Sequence, residues 1–243
     1  MSQDEKALLV YLGQLYDEVI ILLNAYLCSG KKDSNDIVHT AQFCQANFFM
    51  KLLAGKIFEG WQAIDKKYTG SGVSATYNKH LAPEAKDAMK YLRRYFSQKN
   101  LIKHVRDKFA FHQDYGMDNA GSAKEFDALS DKDCAIYVSN IFGNNFFLYA
   151  ESVVSRRIND AISIDQAEGM DPFEVVEVKH NKLFNEVKES ASHILTASWE
   201  IIKAILKSHG LDNSSVSMTS IPNPPSWQKR TLPYFLKHDK PTT

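Results

Sequence analysis

Residues 172–209 read PFEVVEVKHNKLFNEVKESASHILTASWEIIKAILKSH. Within them Leu183, Val187, Ala191, Ile194, Ser198, Ile201 and Ile205 recur at steps of three and four, the period that keeps side chains on one face of an α-helix. Gly210 follows as a C′ stop, because glycine enters the left-handed region without a Cβ penalty. The same period governs the start of the chain. Leu8, Leu12, Leu15, Val19, Leu22, Leu23 and Tyr26 mark one face of a helix that Ser29-Gly30 ends. Two such helices at the two ends of the pattern predict a mostly all-α fold, a helical bundle of five to six helices.

Between them, a second helix is expected from Ser34 or Asn35 toward Tyr68, with Gly55 and Gly60 marking a bend or a close helix contact. The stretch TGSGVSATYN at 69–78 reads as a loop. Pro83 suits the first turn of a third helix running through Phe96, and a fourth is expected over about 100–113. Residues 114–121 (DYGMDNAG) are turn-rich and read as irregular. The apolar runs at 135–138 and 146–149, separated by Gly143-Asn144-Asn145, fit one small β-hairpin, with a helix starting near Asn145 as the rival. Helix resumes by about Ser152. Five of the seven prolines fall after residue 221, so the chain divides into a single helical domain over 1–210 and a proline-containing tail over 211–243, with Trp227, Tyr234 and Phe235 as docking points.

Of the 243 residues, 44% are hydrophobic and 24% charged, which is globular composition. Lys+Arg and Asp+Glu both number 29. A net charge of zero excludes a protein that coats nucleic acid through global charge; any such binding must use a local patch. No apolar run reaches the ~18 residues of a membrane span, and the acidic start MSQDEK lacks the cationic region of a secretory signal, so no membrane partner is expected. Cys28, Cys44 and Cys134 are scattered without metal spacing, and read as reduced core residues of a cytoplasmic protein. Neither a GxxxxGK[ST] loop nor GxGxxG, HExxH or GxSxG is present, so no metal and no cofactor is expected.

One stretch departs from this balance. Residues 86–108, KDAMKYLRRYFSQKNLIKHVRDK, hold eight Lys/Arg against Asp87 and Asp107. Lys90, Arg93, Arg94, Lys99 and Lys103 are candidate phosphate contacts, and the interleaved Tyr91, Tyr95 and Phe96 offer rings on which bases stack, a combination suited to single-stranded RNA. The alternative is a solvated helix face whose rings turn into the core. Directly afterwards come Arg106, Asp107 and His112. An imidazole can move a proton to or from a ribose oxygen near neutral pH, a guanidinium can clamp phosphate as charge grows, and Asp107 can orient either group. Arg106 followed by a polar residue and then by His112 is the only match of its kind, where about 0.1 are expected by chance. On an ideal helix Leu101, Val105, Phe109 and His112 share a stripe with Arg106 on its flank, so the rival for His112 is a core histidine.

On RDKFAFH (106–112), with its Arg, polar residue, spacer and His, the chain resembles the HEPN superfamily (higher eukaryotes and prokaryotes nucleotide-binding). The resemblance implies a helical bundle that forms a homodimer with the motif helices at the interface. It also implies a metal-independent endoribonuclease that cleaves single-stranded RNA, with Arg106 and His112 of both subunits in one cleft. A role as a toxin, with a possible antitoxin partner, or in phage defence goes with it. The alternative is a catalytically inactive HEPN-like module that binds a nucleotide or a protein partner.

Overall fold

A computed structural model of the chain describes residues 1–31, 33–110, 119–138, 144–164, 169–211 and 229–235. Four long helices build the core: α1 (Gln3–Ser29), α2 (Asp36–Ala63), α4 (Pro83–Phe96) and α8 (Pro172–Ser208). Their starts are fixed by local chemistry. Ser2 and Glu5 form a capping box on α1, the Asn35 side chain accepts the Ile37 and Val38 N–H groups at 3.0 and 3.2 Å, and Pro83 occupies the first turn of α4. Each device satisfies or removes amide donors that a helix start otherwise leaves unpaired.

The periodic faces then pack together. Leu8, Leu12, Leu15 and Val19 from α1 meet Leu53 and Ile57 from α2 and Val187, Ala191, Ile194, Ile201 and Ile205 from α8, all buried. Ser198, on the same α8 face, is buried too. Burying each large aliphatic side chain contributes about 1.5–3 kcal/mol. Gly60 marks a close approach: a Cβ built there would lie 2.8 Å from Leu15 Cδ2 and 3.4 Å from Ile194 Cγ2. That is the close helix contact expected of one of the two α2 glycines. Among the described residues α1 alone is long and apolar enough to cross a membrane, and its buried Leu8, Leu12, Leu15 and Val19 are packed in the core with α2 and α8.

The remaining elements are short. α5 (Leu101–Val105) begins at Asn100, whose side chain accepts the Lys103 N–H at 2.8 Å, and passes into a π-helical turn, Arg106–Ala110. A second π-helical turn, Ile64–Thr69, closes α2. The expected hairpin is present as β1 (Ile136–Tyr137) and β2 (Phe146–Phe147), antiparallel, with Ile136 opposite Phe147 and Tyr137 opposite Phe146. α7 (Leu148–Asp160) follows β2 directly, four residues earlier than expected, because the buried Leu148 draws its first turn against the hairpin.

Eight α-helices stand among the described residues, against the five to six expected. One of the two extra ones lies in the stretch at 69–78 read as loop, and the other begins in the last residues of the stretch at 114–121 read as irregular. α3 (Val73–Tyr77) forms because Gly72 turns at φ 82° and Tyr77 is buried. The Tyr77 hydroxyl donates to Glu5 Oε1 at 2.5 Å and lies 3.3 Å from His209 Nε2, tying the start of α1 to the end of α8. α6 (Asn119–Asp127) sets Phe126 edge-on to Tyr149 of α7. Residues 114–118 lie outside the described residues. Of the cysteines, Cys44 is buried and its thiol is pushed up to about 12, chiefly by burial, while Cys28 is half-buried. Cys134 is exposed, which corrects its assignment to the core; it sits in the turn before β1. In the tail, Tyr234 packs against Phe146, and the Leu232 N–H donates to the Cys28 carbonyl at 3.0 Å. Trp227 lies outside the described residues.

Candidate nucleic-acid interface

α4 is the most sharply two-sided helix of the bundle. Ala85, Ala88 and Leu92 are buried, while Lys90, Arg93 and Arg94 are exposed. Lys99 and Lys103, on and after the turn into α5, are exposed as well. All five cations expected to meet phosphate therefore reach solvent.

The interleaved rings behave differently. Phe96 stacks on Trp61 of α2 with centroids 5.8 Å apart. The Tyr95 hydroxyl donates to Glu186 Oε2 of α8 at 2.6 Å, and burial together with that carboxylate holds its phenol above the ordinary range. Tyr91 lies with its ring centroid 4.1 Å from that of His193. These three rings are committed first to helix packing, as in the alternative drawn from sequence. Tyr91 keeps one outward contact, with the Arg94 guanidinium 5.9 Å from its ring.

Arg94 and Lys99 share a cleft of about 620 Å³ between the α4–α5 turn and α8. Tyr91, Tyr95, His104, Lys182 and Glu186 also line it. Lys182 Nζ donates to the Ser163 carbonyl at 2.9 Å, which holds the ammonium at the rim. Among the described lining residues three cations thus stand with a single carboxylate, and that carboxylate already accepts the Tyr95 hydroxyl. The volume lies within the ~300–1,000 Å³ usual for ligand clefts. His104 is held below its ordinary value, first by burial and then by Lys108 and Lys99, with Asp107 opposing.

Arg106 and Asp107 are brought together, with Nη1 donating to Oδ1 at 3.0 Å. The Arg106 guanidinium lies 5.4 Å from the Phe58 ring of α2, and its Nε is buried without a hydrogen-bond partner among the described residues. The pair does not line the basic cleft. Its side chains are about one-third exposed, and ion pairs of that exposure are worth about 0–1 kcal/mol. His112 lies outside the described residues.

Sequence reasoning missed His104 and Lys182. His104 carries a local signal, since it lies inside the basic run two residues before Arg106. Lys182 carries none: it is one lysine on a long helix, and only the packing of α8 on α4 brings it to the cleft. Among the described residues no group of three His, Cys, Asp or Glu side chains gathers as a metal ion requires. In comparisons with known proteins, no family model, no curated protein and no solved structure matches the chain.

Proposed function

We propose that this protein binds single-stranded RNA, with the basic face of α4 and α5 taking the backbone and the cleft beside Lys182 seating a phosphate. The observation that carries this reading is the convergence of Arg94, Lys99 and Lys182 on one cleft, with Lys90, Arg93 and Lys103 exposed on the same two helices as its α4–α5 wall. Backbone charge is what such cations neutralise, and a neutral chain needs them concentrated in this way. The test is fluorescence anisotropy with a labelled single-stranded RNA between about 50 and 200 mM salt, where phosphate-dominated binding weakens steeply. Binding that ignores salt, or no binding at the low end, removes the reading.

A second reading adds catalysis. The HEPN resemblance supports metal-independent endoribonuclease activity by Arg106 and His112, in a homodimer acting as a toxin or in phage defence. The structural observation favouring it is the π-helical turn that begins at Arg106, a distortion that recurs at functional sites. Asp107 holds the guanidinium through a weak pair about one-third exposed, so a phosphate competes with Asp107 for Arg106 at little cost. The 2′-hydroxyl then gives up its proton and attacks phosphorus, the P–O5′ bond breaks, and the 5′-oxygen leaves as a protonated hydroxyl, giving a 2′,3′-cyclic phosphate and sparing DNA. Cleavage that survives chelator and falls about 10²-fold or more in Arg106→Ala and His112→Ala supports this reading. Binding without cleavage leaves the catalytically silent module, including one that serves an antitoxin or other protein partner.

A further inference from the structure

His104 is the one titratable group of the cleft that changes charge near neutral pH. Its ring stands against Phe109, with centroids 5.9 Å apart. Lys99, Lys108 and Asp107 from its own stretch of chain and Arg157 from α7 act on it electrostatically, while Arg94 from α4 and Lys182 and Glu186 from α8 line the same cleft. Burial chiefly disfavours an imidazolium here, and Lys108, Lys99 and Arg157 act in the same direction against Asp107.

A phosphate reverses that balance. It engages Lys99, which both lines the cleft and opposes protonation, and places an anion beside the ring, so the occupied cleft favours the imidazolium. Linkage between two binding events is reciprocal: if phosphate strengthens proton binding, protonation strengthens phosphate binding by the same factor. We propose that RNA binding at this cleft is proton-linked through His104, the ring charging as a backbone phosphate enters and contributing a further charge-assisted hydrogen bond. The inference rests on the RNA-binding reading and adds its regulation: a change of pH by one unit resets the affinity of the cleft without a conformational change.

The sign follows from the two states. The bound state holds the proton more tightly, so affinity rises as pH falls from the bound-state value to the free-state value, then levels off once both forms are protonated. One linked proton gives at most a tenfold gain per pH unit. The experiment is anisotropy of a rhodamine-labelled oligouridylate, whose bases do not titrate in this range, from about pH 8 down to about pH 5 at fixed salt. Wild type is expected to tighten severalfold toward acid, and His104→Gln to bind at every pH with that gain removed. Lys182→Ala is expected to weaken binding at all pH values while keeping the gain. His104→Gln is checked by circular dichroism and thermal melting, and Gln retains a polar side chain in the same half-buried place. A pH-independent wild-type affinity, or a gain that persists in His104→Gln, overturns the inference while leaving RNA binding intact. No binding by wild type at any pH overturns both together.

Discussion

Replacing Tyr95 by Phe removes one oxygen from the seam between α4 and α8. That hydroxyl donates to Glu186 Oε2 at 2.6 Å, the short distance of a charge-assisted bond. Hydrogen bonds to charged groups are worth about 1.5–3 kcal/mol, and since water reaches the half-exposed Glu186 the loss belongs near the lower limit, about 1.5–2 kcal/mol. The ring stays, so its edge-on packing with Phe96 at 5.0 Å is kept and no cavity opens. For a chain of this size each kcal/mol lowers Tm by about 2–4 °C, so a fall of about 3–8 °C is expected. Calorimetry at neutral pH measures it, with urea unfolding as a check: the midpoint should fall while the slope m stays constant, because the same surface unfolds. The three cleft cations remain, so the salt dependence of RNA binding should not change. A variant that melts with wild type refutes the reasoning and assigns the α4–α8 seam to ring packing alone.

Other expectations follow from the same contacts. Gly60→Val should lower the urea midpoint by the equivalent of about 1–3 kcal/mol or more, since its Cβ meets Leu15 and Ile194, both buried with no room to turn aside. Glu5 is held at about 2, chiefly by the Tyr77 hydroxyl, with the Ser2 N–H and His209 assisting. A depressed carboxylate contributes stability above its unfolded value that is lost as pH falls toward its folded one. Wild type should therefore lose more stability than Glu5→Gln between about pH 5 and about pH 2.5 in urea titrations. Light scattering at micromolar concentration should give twice the 27.6 kDa chain mass if the catalytic reading holds, because a two-fold interface supplies each site residue twice; a monomer removes that support.

The large elements were legible because their signal is periodic. The stripe from Leu183 to Ile205 predicts α8, the stripe from Leu8 to Val19 predicts α1, and both are buried as expected. α3 was not legible, because its five residues sit among Gly, Ser and Thr and are held by one buried ring, Tyr77, whose partners lie 72 and 132 residues away. The π-helical turn at Arg106 was hidden for another reason. Ideal-helix phasing puts Phe109 and Arg106 at fixed angles, which the wider winding from Arg106 to Ala110 does not keep. The basic run announced exposed cations correctly but overstated the rings, since spacing alone does not reveal that Tyr95 would meet Glu186. The cleft itself needed the third dimension, because Lys182 comes from a helix that begins 71 residues after Leu101, where α5 starts.

The most direct test of the account is the salt dependence of RNA binding for wild type beside a variant carrying Arg94→Ala, Lys99→Ala and Lys182→Ala together. All three side chains line the cleft, none is buried, and the core beneath them is untouched. Each phosphate contact on single-stranded nucleic acid adds about 0.7 to the slope of log K against log salt, so the variant should bind more weakly with a slope shallower by about 2. A folded variant that binds single-stranded RNA with wild-type affinity and wild-type slope would contradict the assignment of the cleft as the RNA site.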